Sequence, residues 1–127
     1  MQAKNATTDI EGLDLSSYQT ITNADLLYEK CPHYIIFRAY GSSGTADTTF
    51  VTRVQQAQAY GVPCGSYYFG QPRYFATDAE AIAHAEGQAQ QYVTKLNEAF
   101  GAGKTGDITP FLDIEEYTDS ATSTAGY

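Results

Sequence analysis

Thr109-Pro-Phe-Leu-Asp-Ile-Glu-Glu116 sets two carboxylates, Asp113 and Glu115, at the end of a short apolar run. Read as a strand, the segment puts Phe111, Asp113 and Glu115 on one face and Leu112 and Ile114 on the other. Two residues at a rise of about 3.3 Å leave the Cα atoms of the two acids about 7 Å apart. Carboxylates that close split their pKa values, so one can hold a proton and serve as an acid while the other stays ionised. Ionised groups are costly to bury unpaired, so a strand built for stability alone has little use for them. The competing reading leaves both acids past the strand end in water, with no role.

The rest of the chain supplies a frame for these acids. Gly12-Leu-Asp-Leu-Ser16 reads as a first strand carrying Asp14, followed by a Ser17-Tyr-Gln-Thr20 loop. Thr22 to Glu29 reads as a short helix capped by Thr22 or Asn23 and stopped before Pro32. Tyr34-Ile-Ile-Phe-Arg-Ala-Tyr40 is a nearly continuous apolar strand, as in a sheet buried on both faces. From Thr48 to Tyr60, Phe50, Val51, Val54 and Ala57 recur at helical spacing, with Gly61 as the residue after the helix and Pro63 beyond. Cys64 to Phe69 is a third strand. Thr77-Asp-Ala-Glu80 is a capping box opening the longest helix, with a stripe of Ile82, Ala85, Ala89, Tyr92 or Val93, Leu96 and Phe100. Gly101 to Gly106 breaks it before the acid-bearing fourth strand.

The order β-α-β-α-β-α-β predicts an α/β fold with a parallel sheet and right-handed crossovers. All strands then point their carboxyl ends one way, the edge at which such folds carry their sites. Asp14, Arg38, Tyr67, Tyr68, Phe69, Asp113 and Glu115 collect there. The expected organisation is a polar lead-in over 1–10, one domain over 11–116, and a flexible Ser/Thr-rich tail over 117–127.

Composition narrows the partners. A net charge of −8 supplies no basic face for nucleic acid. No apolar run approaches the ~20 residues of a membrane span, and no basic-then-apolar opening marks a signal peptide. Eleven Tyr and six Phe with no Trp supply flat rings with polar tips suited to a carbohydrate or peptide groove, or simply to half-buried packing. Cys31 and Cys64 are too few for a zinc site, and His33 and His84 too few for a histidine one. The thiols are expected to be buried and free, a disulfide being the alternative. Gly41-Ser-Ser-Gly44 lacks a phosphate-cradling pattern. No cofactor is expected.

Four stretches in order resemble the glycoside hydrolase family 25 lysozymes. Gly12-Leu-Asp-Leu-Ser-Ser-Tyr-Gln19 is similar to their G-(I/L)-D-(V/L)-S-x-x-Q opening. Ile35-Ile-Phe-Arg-Ala39 with Asp47 and Phe50 resembles their second strand and its D-x-x-F. Gly61-Val-Pro-Cys-Gly-Ser-Tyr-Tyr-Phe69 resembles G-x-P-x-G-x-Y-x-F, and Phe111-Leu-Asp-Ile-Glu115 their D-x-E. The resemblance covers about residues 11–116. It implies a modified (β/α) barrel, of which four strands are the first half, and a muramidase cutting the β-1,4 bond between N-acetylmuramic acid and N-acetylglucosamine in peptidoglycan. It assigns Glu115 as general acid, Asp113 as the group that orients or stabilises the N-acetyl group, and Asp14 as a supporting carboxylate. A glycosidic oxygen leaves poorly unless protonated, and an oxocarbenium-like transition state needs negative charge beside it, so the chemistry agrees.

Tyr67, Tyr68 and Phe69 would form a platform for sugar faces, Tyr40 would join them in binding substrate, and Arg38 would hold one carboxylate ionised. The expected site of action is the bacterial cell wall, reached from outside or by phage lysis.

The sequence departs from the family pattern in three ways. Arg38-Ala-Tyr-Gly-Ser stands where the family carries a Lys-containing stretch, no aspartate arrives from a late barrel strand, and only four strands are present. An open half-barrel exposes two sheet edges and an apolar inner face lined by Ile36, Phe69 and Phe111, so self-association or a complementary C-terminal half is expected. The alternative function is a non-catalytic half-barrel binding wall glycan or a partner protein. The three carboxylates together favour the catalytic reading.

Overall fold

The computed structural model describes residues 10–30, 33–41, 44–70 and 73–115. Cys31, most of the 1–10 lead-in and the 117–127 tail lie outside the described residues. Seven elements alternate among those described: β1 (Gly12–Leu15), α1 (Ala24–Lys30), β2 (Tyr34–Tyr40), α2 (Phe50–Ala59), β3 (Cys64–Gly70), α3 (Asp78–Phe100) and β4 (Phe111–Ile114). The strands are parallel and lie in sequential order β1-β2-β3-β4. Without a reversal of order, successive right-handed crossovers stack their helices on one side, as in a (β/α) barrel and unlike a doubly wound sheet.

The two faces of β2 differ. Ile35, Phe37 and Ala39 are buried, whereas Tyr34, Ile36, Arg38 and Tyr40 are half-buried. The expected burial on both faces is therefore met on one face only. Helices cover the side of Ile35 and Phe37, and among the described residues no second layer covers the side of Ile36. The covered side forms the core with Phe50, Val54 and Ala57 of α2 and Leu96, Ala99 and Phe100 of α3. Phe50 meets Phe100 edge to face at 6.1 Å. Burying each such ring or branched chain contributes about 1.5–3 kcal/mol.

Local signals account for the helix ends. Asn23, of the two candidate caps, accepts the Leu26 N–H at 2.9 Å. The α2 terminus closes with the Gly61 N–H on the Gln58 carbonyl and the Val62 N–H on the Ala57 carbonyl. That pattern needs Gly61 at φ 69°. The Thr77–Glu80 capping box forms in both directions.

The apolar stripe of α3 is only half used. Tyr92, Leu96, Ala99 and Phe100 pack on the core, but Ile82 is 58% exposed, and Ala85 and Ala89 are exposed as well. The physical reason is length: 23 helical residues run about 34 Å, while the 7 residues of β3 span about 23 Å. The first turns of α3 overshoot the sheet.

The loop from α3 to β4 is pinned beneath β3. The Asp107 carboxylate accepts the Cys64 N–H at 3.0 Å, and the Asp107 N–H returns to the Cys64 carbonyl at 2.8 Å. Gly106 permits this approach, since a Cβ there would lie 2.8 Å from that carbonyl oxygen. Cys64 is free and buried, and burial, then the charge of Asp107, pushes its thiol up to about 12. It is a core residue with no reactivity at neutral pH.

Candidate active site

The register carries the acids onto one face. Asp14 aligns with Ile36, which aligns with Gly65. Arg38 aligns with Tyr67, and Tyr67 with Phe111. Phe69 aligns with Asp113. Neighbours at one level of a parallel sheet share a face, so Asp14, Ile36, Arg38, Tyr67, Phe69, Phe111 and Asp113 lie on the side away from the helices. Glu115 follows directly, and its N–H continues the ladder onto the Gly70 carbonyl at 3.2 Å. Asp113 is half-buried, while Asp14 and Glu115 are exposed at the rim.

Tyr67 joins the acids. Its phenol donates to Asp14 Oδ1 at 3.5 Å. Burial first, then the charge of Asp14, with Arg38 opposing and Asp113 adding, pushes its pKa up to about 12. The hydroxyl therefore keeps its proton throughout the physiological range and stands as a donor within the field of two carboxylates.

Arg38 is committed elsewhere than to these acids. Its Nε and Nη2 donate to Asp47 Oδ2 at 3.2 and 3.1 Å, and Nη2 also reaches Ser17 Oγ at 3.0 Å. Asp47 additionally accepts the Ser17 N–H at 2.7 Å and the N–H and hydroxyl of Thr49 at 3.0 and 2.7 Å. Burial pushes the Asp47 carboxyl up, but the bonds from Ser17 and Thr49 outweigh it and hold its pKa below the usual range. The carboxylate that Arg38 pairs with is thus Asp47, and its charge also reaches the Tyr67 phenol.

Two of the anticipated sugar-binding rings lie elsewhere. Tyr68 alternates to the helix side and is 3% exposed, between Tyr40, stacked at 5.4 Å, and Tyr92, edge-on at 5.7 Å. Tyr40 joins it because the β2–β3 register slips after Arg38, bringing Tyr40 level with Tyr68. Both rings pack in the core layer, and of the anticipated platform only Tyr67 and Phe69 lie on the face that bears the acids.

The loop after β1 is bolted down by residues that sequence reading left without a role. Gln19 Oε1 accepts both the N–H and the hydroxyl of Ser16, at 2.7 and 2.9 Å. The buried Arg53 of α2 donates to the carbonyls of Ser16 and Gln19 at 2.5 and 2.6 Å. The Ser and Gln of the S-x-x-Q pattern are thus structural. Tyr18, between them, lies under the Arg38 guanidinium at 4.8 Å. For Asp47 a local signal existed: an Asp three residues before the first helical residue invites a bond from the backbone two residues ahead of it. Among the described residues no group of three or more His, Cys, Asp or Glu is arranged to hold a metal ion.

A parallel α/β sheet in barrel order, with carboxylates and a protonated phenol at its carboxyl edge, defines the class to which this chain belongs. The chain belongs to the glycosyl hydrolases family 25, whose model matches residues 13–126. The Clostridium perfringens spore cortex lytic enzyme SleM is 30% identical, with a TM-score of 0.72 over 93% of this chain and 36% of its own. A family 25 glycosyl hydrolase from Bacillus anthracis is 20% identical, with a TM-score of 0.66 over 96% of this chain and 50% of its own. The catalytic domain of endolysin Ply40, from bacteriophage P40 of Listeria monocytogenes, is 21% identical, with a TM-score of 0.57 over 84% of this chain and 47% of its own. The chain thus spans half or less of each of these structures. No curated protein sequence matches it closely enough to count.

Proposed function

We propose that the chain is a peptidoglycan muramidase unit, acting at the bacterial cell wall on the β-1,4 bond between N-acetylmuramic acid and N-acetylglucosamine. Glu115 is the general acid and protonates the glycosidic oxygen as the bond to the anomeric carbon breaks. Asp113, two residues earlier on the same face, orients the N-acetyl group and offsets the positive charge that develops on the sugar ring. Asp14 supports from β1, linked to the site by the Tyr67 phenol. Tyr67 and Phe69 offer their rings to sugar faces. The observation that carries this reading is the common face of Asp14, Tyr67 and Asp113 in one parallel register, with Glu115 next along β4. Replacing Glu115 by Gln removes the proton donor while keeping shape, so hydrolysis of purified peptidoglycan should fall about 10²–10⁴-fold with an unchanged circular dichroism spectrum. Turnover at the wild-type rate would remove Glu115 from the mechanism.

The same reading includes a partner for the open sheet. Leu13 of β1 is 37% exposed, and Phe111, Leu112 and Ile114 of β4 are 48%, 65% and 63% exposed. Among the described residues no strand pairs with the outer edge of β1 or β4, and both edges are flanked by apolar side chains, the situation that a second half-barrel relieves. A second copy or a complementary C-terminal half would complete the mouth.

A further inference from the structure

We propose that Tyr18 is a sugar-stacking residue of this rim, held from behind by Arg38; the proposal rests on the glycan-cleaving reading above. Tyr18 follows β1 by three residues and is 82% exposed. A ring so exposed ordinarily turns freely. This one has the Arg38 guanidinium 4.8 Å from its centroid. The guanidinium is itself fixed, because Asp47 and Ser17 take its donors and its side chain is 12% exposed against 0% for Asp47. The backbone beneath is fixed as well: the Tyr18 N–H donates to Ser16 Oγ at 3.3 Å, and the Ser17 N–H to Asp47 at 2.7 Å. One ring face is occupied and the opposite face is presented to solvent at the carboxyl edge of the sheet.

The ligand class follows from what Arg38 has left to give. Its Nε and Nη2 are already engaged with the Asp47 carboxylate, so the charge at this position is largely matched from behind the ring. What remains is a flat, apolar, pre-positioned surface, which suits the C–H face of a pyranose ring. Because the ring is already held, binding there incurs little ordering entropy. Arg38 is also level with Tyr67 in the sheet, and Tyr67 bonds Asp14. Tyr18 therefore lies one guanidinium away from the acid cluster and takes a sugar adjacent to the one being cleaved.

The test uses peptide-free glycan strands of alternating N-acetylglucosamine and N-acetylmuramic acid, titrated into the 127-residue chain by calorimetry. Tyr18→Ala should weaken binding about three- to tenfold, and Tyr18→Phe should retain it, since the ring and not the hydroxyl does the stacking. In the wild-type chain with ring-labelled tyrosine, the Tyr18 resonances should shift as strands are added, a readout that needs no variant to fold. Wild-type affinity in Tyr18→Ala, equal loss in the Ala and Phe variants, or an unmoved Tyr18 resonance while the chain binds strands would each overturn the proposal and leave the glycan reading standing. A wild-type chain that binds no strands would overturn both.

Discussion

The Asp47 carboxylate accepts five hydrogen bonds, from Ser17, Thr49 and the two nearer nitrogens of Arg38. It ties the loop after β1, the end of β2 and the start of α2 into one piece, so the positions of Asp14 and Tyr18 both depend on it. Its folded pKa lies below the unfolded value of about 3.8. The stability it contributes is therefore complete above the unfolded pKa and is lost as pH falls through the folded one. The wild-type chain should lose urea resistance progressively below about pH 4, and Asp47→Asn, less stable at neutral pH, should show a flatter acid slope. Parallel slopes in the two proteins would show that Asp47 does not link protonation to folding. This pairing was not legible in the sequence because its partners stand 30 and 9 positions away, and Arg38 faces several acids across the sheet. The acids themselves were legible, since period two along β4 fixes their common face.

At the scale of elements, local chemistry predicted more than composition did. The capping box of α3, the Asn23 cap and the Gly61 terminus all formed where short-range hydrogen bonding puts them. The exposed first half of α3 was not legible, because an apolar stripe shows which face can be buried and not how long the sheet beneath it is. The slip after Arg38 was hidden too, and it is what takes Tyr40 off the acid face, whereas Tyr68 leaves it by the plain alternation of β3. Two glycines separate backbone need from habit. Gly61 sits at φ 69° with open space around it, so Gly61→Ala should cost about 1–2 kcal/mol through the left-handed conformation alone. Gly87 lies within α3, also in open space, and Gly87→Ala should gain about 0.5–1 kcal/mol. Urea unfolding of both variants checks the pair, and a destabilised Gly87→Ala or a neutral Gly61→Ala would contradict these backbone assignments.

Among the described residues the sheet is well packed in the middle and open at both sides. β2 and β3 bury a continuous face under α2 and α3, while β1 and β4 leave most of their side chains exposed. Four parallel strands were readable from the alternation of elements, while their barrel order was implied only by the family resemblance. What fills the open side was not readable, because residues 10–115 hold no further layer to put there. Sedimentation at micromolar concentration should reveal a two-fold pair or higher association, and a sharp monomer that binds no hydrophobic dye would contradict the half-barrel account. The most direct test of the central claim is the chemistry of the ends that the chain creates. Purified peptidoglycan is digested over a range of protein concentrations, the new reducing ends are reduced with borohydride, and the amino sugars are analysed after acid hydrolysis. The account predicts muramitol, released more steeply than in proportion to protein concentration as the mouth is completed by association. Glucosaminitol in its place, or no new reducing ends at any concentration, would contradict it.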